Sequence, residues 1–163
     1  MVYDSENEQA PPGRKPAEKK YKPAWALDVA ESLAKALVSR LSPYCSKIEI
    51  AGSIRRRKSK VHDIDIVLIP SDPWNLSAEV AALGRPFIAS VSGAKATRFN
   101  YHGLPVDLYY ADEKTWATLL LIRTGSVEFN IGLASRARWK GWRLHADGSG
   151  LFNEHGERVA GDT

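Results

Sequence analysis

Two aspartates separated by one residue stand at the start of the apolar segment 63–70. In a β-strand alternate side chains face the same side, so Asp63 and Asp65 are predicted to project together while Ile64 and Ile66 face the other way. Two such carboxylates repel each other by about 4 kcal/mol at a separation of ~4 Å and an effective dielectric constant of ~20. A divalent cation between them removes this repulsion, and Mg²⁺ binds carboxylates while it retains substrate phosphates. The spacing therefore predicts a metal and phosphate site.

The residues before this pair favour the same chemistry. A strand is predicted at 48–50, and it is followed by Gly52 and Ser53, which allow backbone N–H groups and a hydroxyl to approach an anion closely. Five of the six residues from Arg55 to Lys60 are basic. Such a cluster suits the phosphates of a nucleic acid, although a run of charges is also typical of a solvated surface.

Composition limits the class of protein. The 163 residues, 44% of them hydrophobic and five of them Trp, suffice for one compact domain or for a domain with a small appended unit. The single cysteine, Cys45, excludes an intramolecular disulfide and suits a reducing compartment. The polar N-terminus and the lack of a long apolar run argue against a signal peptide and a membrane span. We therefore expect a soluble, cytoplasmic monomer with no membrane partner.

Hydrophobic periodicity and turn residues predict alternating helices and strands. Segment 1–23, rich in Pro, Glu and Lys, is predicted to be a disordered basic tail. Helices are predicted at 24–41, 74–83, 113–123 and 127–140, and strands at 85–91, 95–101, 104–110, 142–145 and 151–153. Ser126 is predicted to cap the last helix, on which Phe129, Leu133 and Ala137 form an apolar stripe. The last ten residues show no clear element apart from a short turn.

A third aspartate, Asp107, stands in the second arm of a hairpin predicted around His102-Gly103. Alternation places it on the face opposite Val106 and Leu108. By itself an aspartate in this position is unremarkable. Beside the strand of Asp63 and Asp65, it would be the third carboxylate of one cluster.

Three motifs together resemble a known family. Gly52-Ser53-Ile54-Arg55-Arg56, Asp63-Ile64-Asp65 and Val106-Asp107-Leu108 are similar to the palm of the family X DNA polymerases, the polymerase beta group of the wider nucleotidyltransferase superfamily. The run Thr124-Gly125-Ser126 with Phe129-Asn130 resembles the nucleotide-binding subdomain of that family. The resemblance extends over about 24–152.

The resemblance implies an α+β fold, in which a nucleotidyltransferase palm with a mixed sheet and flanking helices occupies 24–112. A small helical and hairpin subdomain that binds the nucleotide would follow at 113–163. The chain resembles a minimal form of the family, without the amino-terminal lyase domain.

The resemblance also implies a two-metal mechanism for the three carboxylates. Asp63 and Asp65 would bridge two Mg²⁺ ions, or Mn²⁺ ions, about 3.5–4 Å apart. Asp107 would bind only the catalytic ion, next to the primer 3′-hydroxyl, and accept the proton of that hydroxyl. The charge that builds on the attacking and leaving oxygens would thereby be stabilised.

Six further residues would contact the incoming nucleotide by the same resemblance. Gly52, Ser53 and Arg56 would hold its β- and γ-phosphates. Arg55 and Arg57 are alternatives to Arg56, which aligns best with the family as the second arginine after Gly-Ser-Ile. Thr124 and Gly125 would lie along the sugar, and Asn130 would contact the base edge.

Two positions depart from the family pattern. Ile122-Arg123 stands where the family commonly has an aromatic pair, which bears on discrimination against ribonucleotides. Ala134 stands where polymerase beta has an arginine that steadies the template pairing, and low fidelity follows as a hypothesis.

The resemblance implies an enzyme that adds dNTPs to a primer 3′-hydroxyl in gapped DNA during short-gap repair. Two alternatives stay open. One is a transferase that works without a template or that modifies an RNA or a protein. The other is a non-catalytic nucleic-acid-binding module with a degenerate palm.

Overall fold

The structure is a computed structural model that describes residues 23–91 and 94–161. The predicted disordered tail, apart from Pro23, lies outside the described residues. In chain order the elements are β1 (Trp25–Ala26), α1 (Leu27–Leu41), a 3₁₀ turn (Ser42–Tyr44), β2 (Cys45–Ile50), α2 (Gly52–Arg55), β3 (Lys60–Val61), β4 (Ile64–Pro70), α3 (Pro73–Leu83), β5 (Phe87–Val91), β6 (Ala94–Tyr101), β7 (Leu104–Tyr110), α4 (Trp116–Thr124), α5 (Val127–Trp139), β8 (Arg143–His145), β9 (Gly150–Phe152) and β10 (Arg158–Ala160).

The main sheet is mixed and has the strand order β2-β4-β7-β6-β5. Strands β4 and β7 run parallel, and the other neighbouring pairs are antiparallel. A parallel pair needs a long crossover connection, and α3, β5 and β6 supply it. The mixed α+β architecture expected from the sequence is therefore confirmed.

Strand β4 is buried on both faces, because side chains alternate along it. Ile64 and Ile66 belong to the larger core cluster, which also contains residues of α1 and α3. Val67 and Ile69 belong to a second cluster, which includes Leu119 of α4. Helices thus cover the central strand from both sides, and the alternation predicted for this segment is confirmed.

Helix α1 begins three residues later than predicted. Trp25 and Ala26 pair with Val61 and Lys60 in a two-stranded antiparallel sheet, so the chain is extended there and becomes helical at Leu27. The helix buries four residues at helical spacing, Ala30, Ala34, Leu37 and Leu41. Most other predicted elements agree with the structure within three residues.

The C-terminal region contains a separate three-stranded sheet of order β10-β9-β8. The hairpin β8–β9 was predicted, whereas β10 falls in the last ten residues, where no strand was expected. The predicted apolar stripe of α5 is only partly correct. Ala137 is buried, but Phe129 is 47% exposed.

The described residues contain no helix that is long and apolar enough to cross a membrane. The predicted boundary between 24–112 and 113–163 stays a prediction.

Candidate functional site

Asp65 and Asp107 lie opposite each other on neighbouring strands. The parallel register of β4 and β7 pairs Ile64 with Val106 and Asp65 with Asp107. Because Ile64 and Val106 both face the larger core cluster, the two aspartates project from the other face of the sheet. The tertiary structure therefore brings together two carboxylates that are 42 positions apart in the chain.

Asp63 lies just before β4 rather than within it, since the strand begins at Ile64. This corrects the expectation that both aspartates of the motif belong to the strand. Asp63 nevertheless remains near enough to act on its neighbour. Burial, together with the charges of Asp63 and Asp107, raises the pKa of Asp65 to about 7.

Asp107 is held by an arginine on the adjacent strand. Arg98 of β6 is paired with Asp107 in the sheet register, and its Nε donates to Oδ1 at 2.8 Å while its Nη2 donates to Oδ2 at 3.3 Å. This contact raises the pKa of Arg98. The Tyr109 hydroxyl also donates to Asp107 Oδ2, at 3.3 Å. Both oxygens of Asp107 therefore already accept hydrogen bonds.

The three aspartates interact electrostatically but do not converge. Within residues 23–91 and 94–161, no three Asp, Glu, His or Cys side chains are arranged to hold one metal ion. Asp107 is instead paired with Arg98 of β6. By donor chemistry the set nevertheless fits Mg²⁺, which prefers carboxylate oxygens.

Gly52 lies so close to Asp65 that a side chain at this position would press against its carboxylate. Its φ is +60°, and a Cβ atom placed on it would be 1.9 Å from Asp65 Oδ2. The backbone N–H of Ala51 also donates to the Asp65 carbonyl oxygen at 2.8 Å. The short turn of α2 that carries Gly52 and Ser53, called the Gly52 loop below, is thus fixed directly against the carboxylate of β4.

Arg56 connects this loop to the end of α4. Its Nη1 donates to the carbonyl oxygen of Thr124. The next residue, Gly125, has a φ of +71°, and a Cβ atom there would be 3.1 Å from Arg56 Nη1. The predicted phosphate contacts and the predicted sugar contacts are therefore adjacent in space.

Three polar atoms near this connection are buried and have no hydrogen-bond partner among the described residues. They are Ser53 Oγ, Arg56 Nε and Asn130 Oδ1. The other end of the Asn130 side chain is occupied, since its Nδ2 donates to the Ile122 carbonyl oxygen at 2.9 Å. Buried polar atoms without partners are rare in native proteins and are explained by strain, water or a ligand.

Two residues of the site were not predicted from the sequence. The first is Arg98, which the register of a hairpin with a two-residue turn at His102-Gly103 places opposite Asp107. Arg123 was noted only as a departure from the family pattern. Its guanidinium lies 4.4 Å from the centre of the Tyr109 ring. Its positive charge offsets part of the rise in the pKa of Asp65 that burial and the two neighbouring carboxylates cause.

A cleft of about 460 Å³ lies beside the carboxylates. Asp63, Asp107, Arg85 and Arg98 line it, so both signs of charge face the same space. An anionic substrate that carries a nucleophile is suited to such a cleft, because the arginines can attract its charge while the carboxylates stay close to the reacting atom.

A scan against family models matched none of them, and a comparison with curated proteins found no significant relative. The functional argument therefore depends on the geometry of the site.

Proposed function

We propose that this chain is a nucleotidyltransferase of the family X DNA polymerase type, which adds dNTPs to a primer 3′-hydroxyl in short-gap DNA repair. The main sheet would be its palm, and α4, α5 and the three-stranded sheet would form its nucleotide-binding subdomain. The observation that carries the proposal is the register of β4 and β7, which sets Asp65 beside Asp107 under the Gly52 loop.

The carboxylates would supply the ligands for the cations of this reaction. Asp63, Asp65 and Asp107 would hold two Mg²⁺ ions, which would stabilise charge on the attacking and leaving oxygens when bound. Asp107 lines the open cleft and can accept the proton of the 3′-hydroxyl. Arg98 would release one oxygen of Asp107 as a ligand position while it keeps the side chain oriented through the other.

The buried polar atoms that have no hydrogen-bond partner among the described residues favour a nucleotide-binding site here. Ser53 Oγ and Arg56 Nε are buried donors at the Gly52 loop, where the triphosphate would lie. Asn130 Oδ1 is a buried acceptor on α5, where the base edge would lie. Each of these atoms would gain a hydrogen bond on nucleotide binding, and this favours the bound state.

The test is extension of a labelled primer that ends at a one-nucleotide gap, with Mg²⁺ or Mn²⁺, by the protein and by its Asp107→Ala variant. We expect addition of the template-matched dNTP by the protein and a loss of at least about 100-fold in the variant. Asp28→Asn, an exposed carboxylate on α1, is the matched control and should extend normally.

The other outcomes select the alternatives. Addition of any nucleotide regardless of the template would support a template-independent transferase. Addition to an RNA or protein acceptor, but not to a primer, would identify a different acceptor class. Absence of addition with either cation, despite binding of the gapped duplex, would overturn the catalytic proposal in favour of a binding module.

A further inference from the structure

A second groove lies away from the carboxylates, between α5 and the three-stranded sheet. Its volume is about 870 Å³. Ala134 and Arg138 of α5 form one wall, and β8 and β9 with the segments next to them form the other. Asn130, Ala134 and Arg138 are four residues apart, so they share one face of the helix. The groove therefore continues along the helix face that carries Asn130, which lies about 6 Å from Ala134 and about 12 Å from Arg138 along the axis.

Two aromatic rings form a stack in the wall of this groove. The His145 and Phe152 rings are 4.5 Å apart at an interplanar angle of 28°, and both residues are partly exposed. A hydrogen bond between His145 Nδ1 and Ser149 Oγ, 3.1 Å long, holds the imidazole in place. A flat and partly exposed ring pair of this kind can continue a stack of nucleobases without selecting their sequence.

The charges around the rings favour a polyanion. Arg138 and Arg143 line the groove and are exposed. Lys140 lies nearby, with its ammonium 5.1 Å from the centre of the Trp142 ring. Among the lining residues Glu154 is the only carboxylate, and it is exposed at the rim. The net charge of the groove is therefore positive.

We propose that the groove between α5 and the three-stranded sheet binds single-stranded nucleic acid, with a base stacked on the Phe152–His145 pair and the backbone phosphates at Arg138 and Arg143. This goes beyond the proposed nucleotidyl transfer, because it requires neither the carboxylates nor a nucleotide. If transfer takes place at the carboxylates, the groove would hold the unpaired strand that continues past Asn130. A rigid duplex presents no unstacked base to the rings, so it should bind less tightly.

The experiment is fluorescence anisotropy of labelled oligo(dT), titrated at several salt concentrations in EDTA and without nucleotide. Phe152→Leu should weaken binding by about five- to 150-fold, with no change in the salt dependence. Arg143→Gln and Arg138→Gln should each weaken binding and reduce the slope of log K against log salt by about 0.7. Glu154→Gln should strengthen binding, because a repulsive charge is removed.

Two controls separate these effects from a loss of structure. Phe152→Tyr keeps the ring and should bind as the wild type does, whereas Phe152→Leu keeps the apolar contact but not the stack. Arg40→Gln removes an exposed arginine of α1 that is paired with Glu79 of α3 and does not line the groove, so it should leave binding unchanged. Thermal unfolding of each variant identifies any that fails to fold.

Several results would overturn the proposal. It fails if the wild type does not bind oligo(dT), if Phe152→Leu binds as the wild type does, or if Arg40→Gln costs as much as Arg143→Gln. Tighter binding of a duplex through the same residues would also contradict it. Displacement of oligo(dT) by polyglutamate, with no effect of Phe152→Leu, would identify a surface for acidic proteins instead. Binding of oligo(dT) in EDTA is measured without any nucleotidyl transfer, so failure of this proposal and failure of nucleotidyl transfer can be told apart.

Discussion

The main sheet buries side chains on both faces, whereas the three-stranded sheet leaves most of its residues partly exposed. Helix α1 buries four residues, but α5, nearly as long, buries only Ala137 and exposes 95% of Trp139. Interactions in a well-buried region hold side chains in single positions, while a thinly buried region opens at a lower free energy. The carboxylates thus lie on the well-buried main sheet, and the groove proposed for single-stranded nucleic acid lies on the less buried region of α5 and the three-stranded sheet.

The largest effect is expected at Gly52. Gly52→Ala would place a methyl group against the Asp65 carboxylate at a positive φ, so primer extension should fall by about 100-fold or more, as expected when a catalytic group is displaced by ~1 Å. Gly132 of α5 has open space around it. Gly132→Ala should therefore keep activity and raise stability by about 0.5–1 kcal/mol. Equal primer extension by Gly52→Ala and Gly132→Ala would contradict the inferred difference in rigidity between the main sheet and the α5 region.

A pair of leucine truncations compares the two regions in stability. Leu68 of β4 is fully buried, and Leu68→Ala should cost about 2–5 kcal/mol of unfolding free energy. Leu133 of α5 is partly exposed, and Leu133→Ala should cost about 1 kcal/mol. Urea unfolding followed by circular dichroism measures both. Similar costs would show that the core continues into α5.

Arg98 tests whether orientation of Asp107 matters for activity. Arg98→Gln removes the two charge-assisted hydrogen bonds to Asp107, and extension should become about tenfold slower, with little change in the KM for dNTP. Arg98→Lys should restore part of the rate. Arg85 lines the same cleft, and Arg85→Gln is the control for loss of positive charge. A rise in KM alone would assign Arg98 to substrate binding instead.

The smallest effect on stability is expected from the residues that cap one helix in each region. Asp72 accepts from the Asn75 N–H at the start of α3, and Ser126 accepts from the Phe129 N–H at the start of α5. The Asn75 hydrogen bonds lower the pKa of Asp72. Its stabilising effect is therefore fully present above the unfolded pKa of about 3.9 and is lost as the pH falls through the lower folded pKa.

The loss of Tm in Asp72→Ala should accordingly shrink below about pH 4. The loss in Ser126→Ala should keep the part that comes from the neutral cap. It should lose below that pH only the part that comes from the hydrogen bond of Ser126 to Glu128, which acts after the Glu128 backbone N–H in lowering the pKa of that carboxyl. Thermal melts between acidic and neutral pH measure the two differences. A pH-independent loss in Asp72→Ala would show that the carboxylate does not act as the cap.

Local signals in the sequence predicted much of the fold and of the candidate site. The cap at Ser126, the start of α3 near Pro73 and the His102-Gly103 hairpin depend on short-range geometry, so they can be recognised from neighbouring residues. The alternation of β4 depends on a two-residue period and was equally accessible. Even the contact between Arg98 and Asp107 follows from a hairpin register.

Only the tertiary structure decided which distant segments meet. Asp65 and Asp107 become neighbours through a parallel pairing, and no local turn specifies the register of parallel strands. The helical spacing of Phe129, Leu133 and Ala137 places them on one face, but their burial depends on what packs against that face. Ala137 is buried, whereas Phe129 is 47% exposed. The spacing of residues along a strand or helix determines on which face their side chains lie. The packing of the whole molecule decides which segments come into contact.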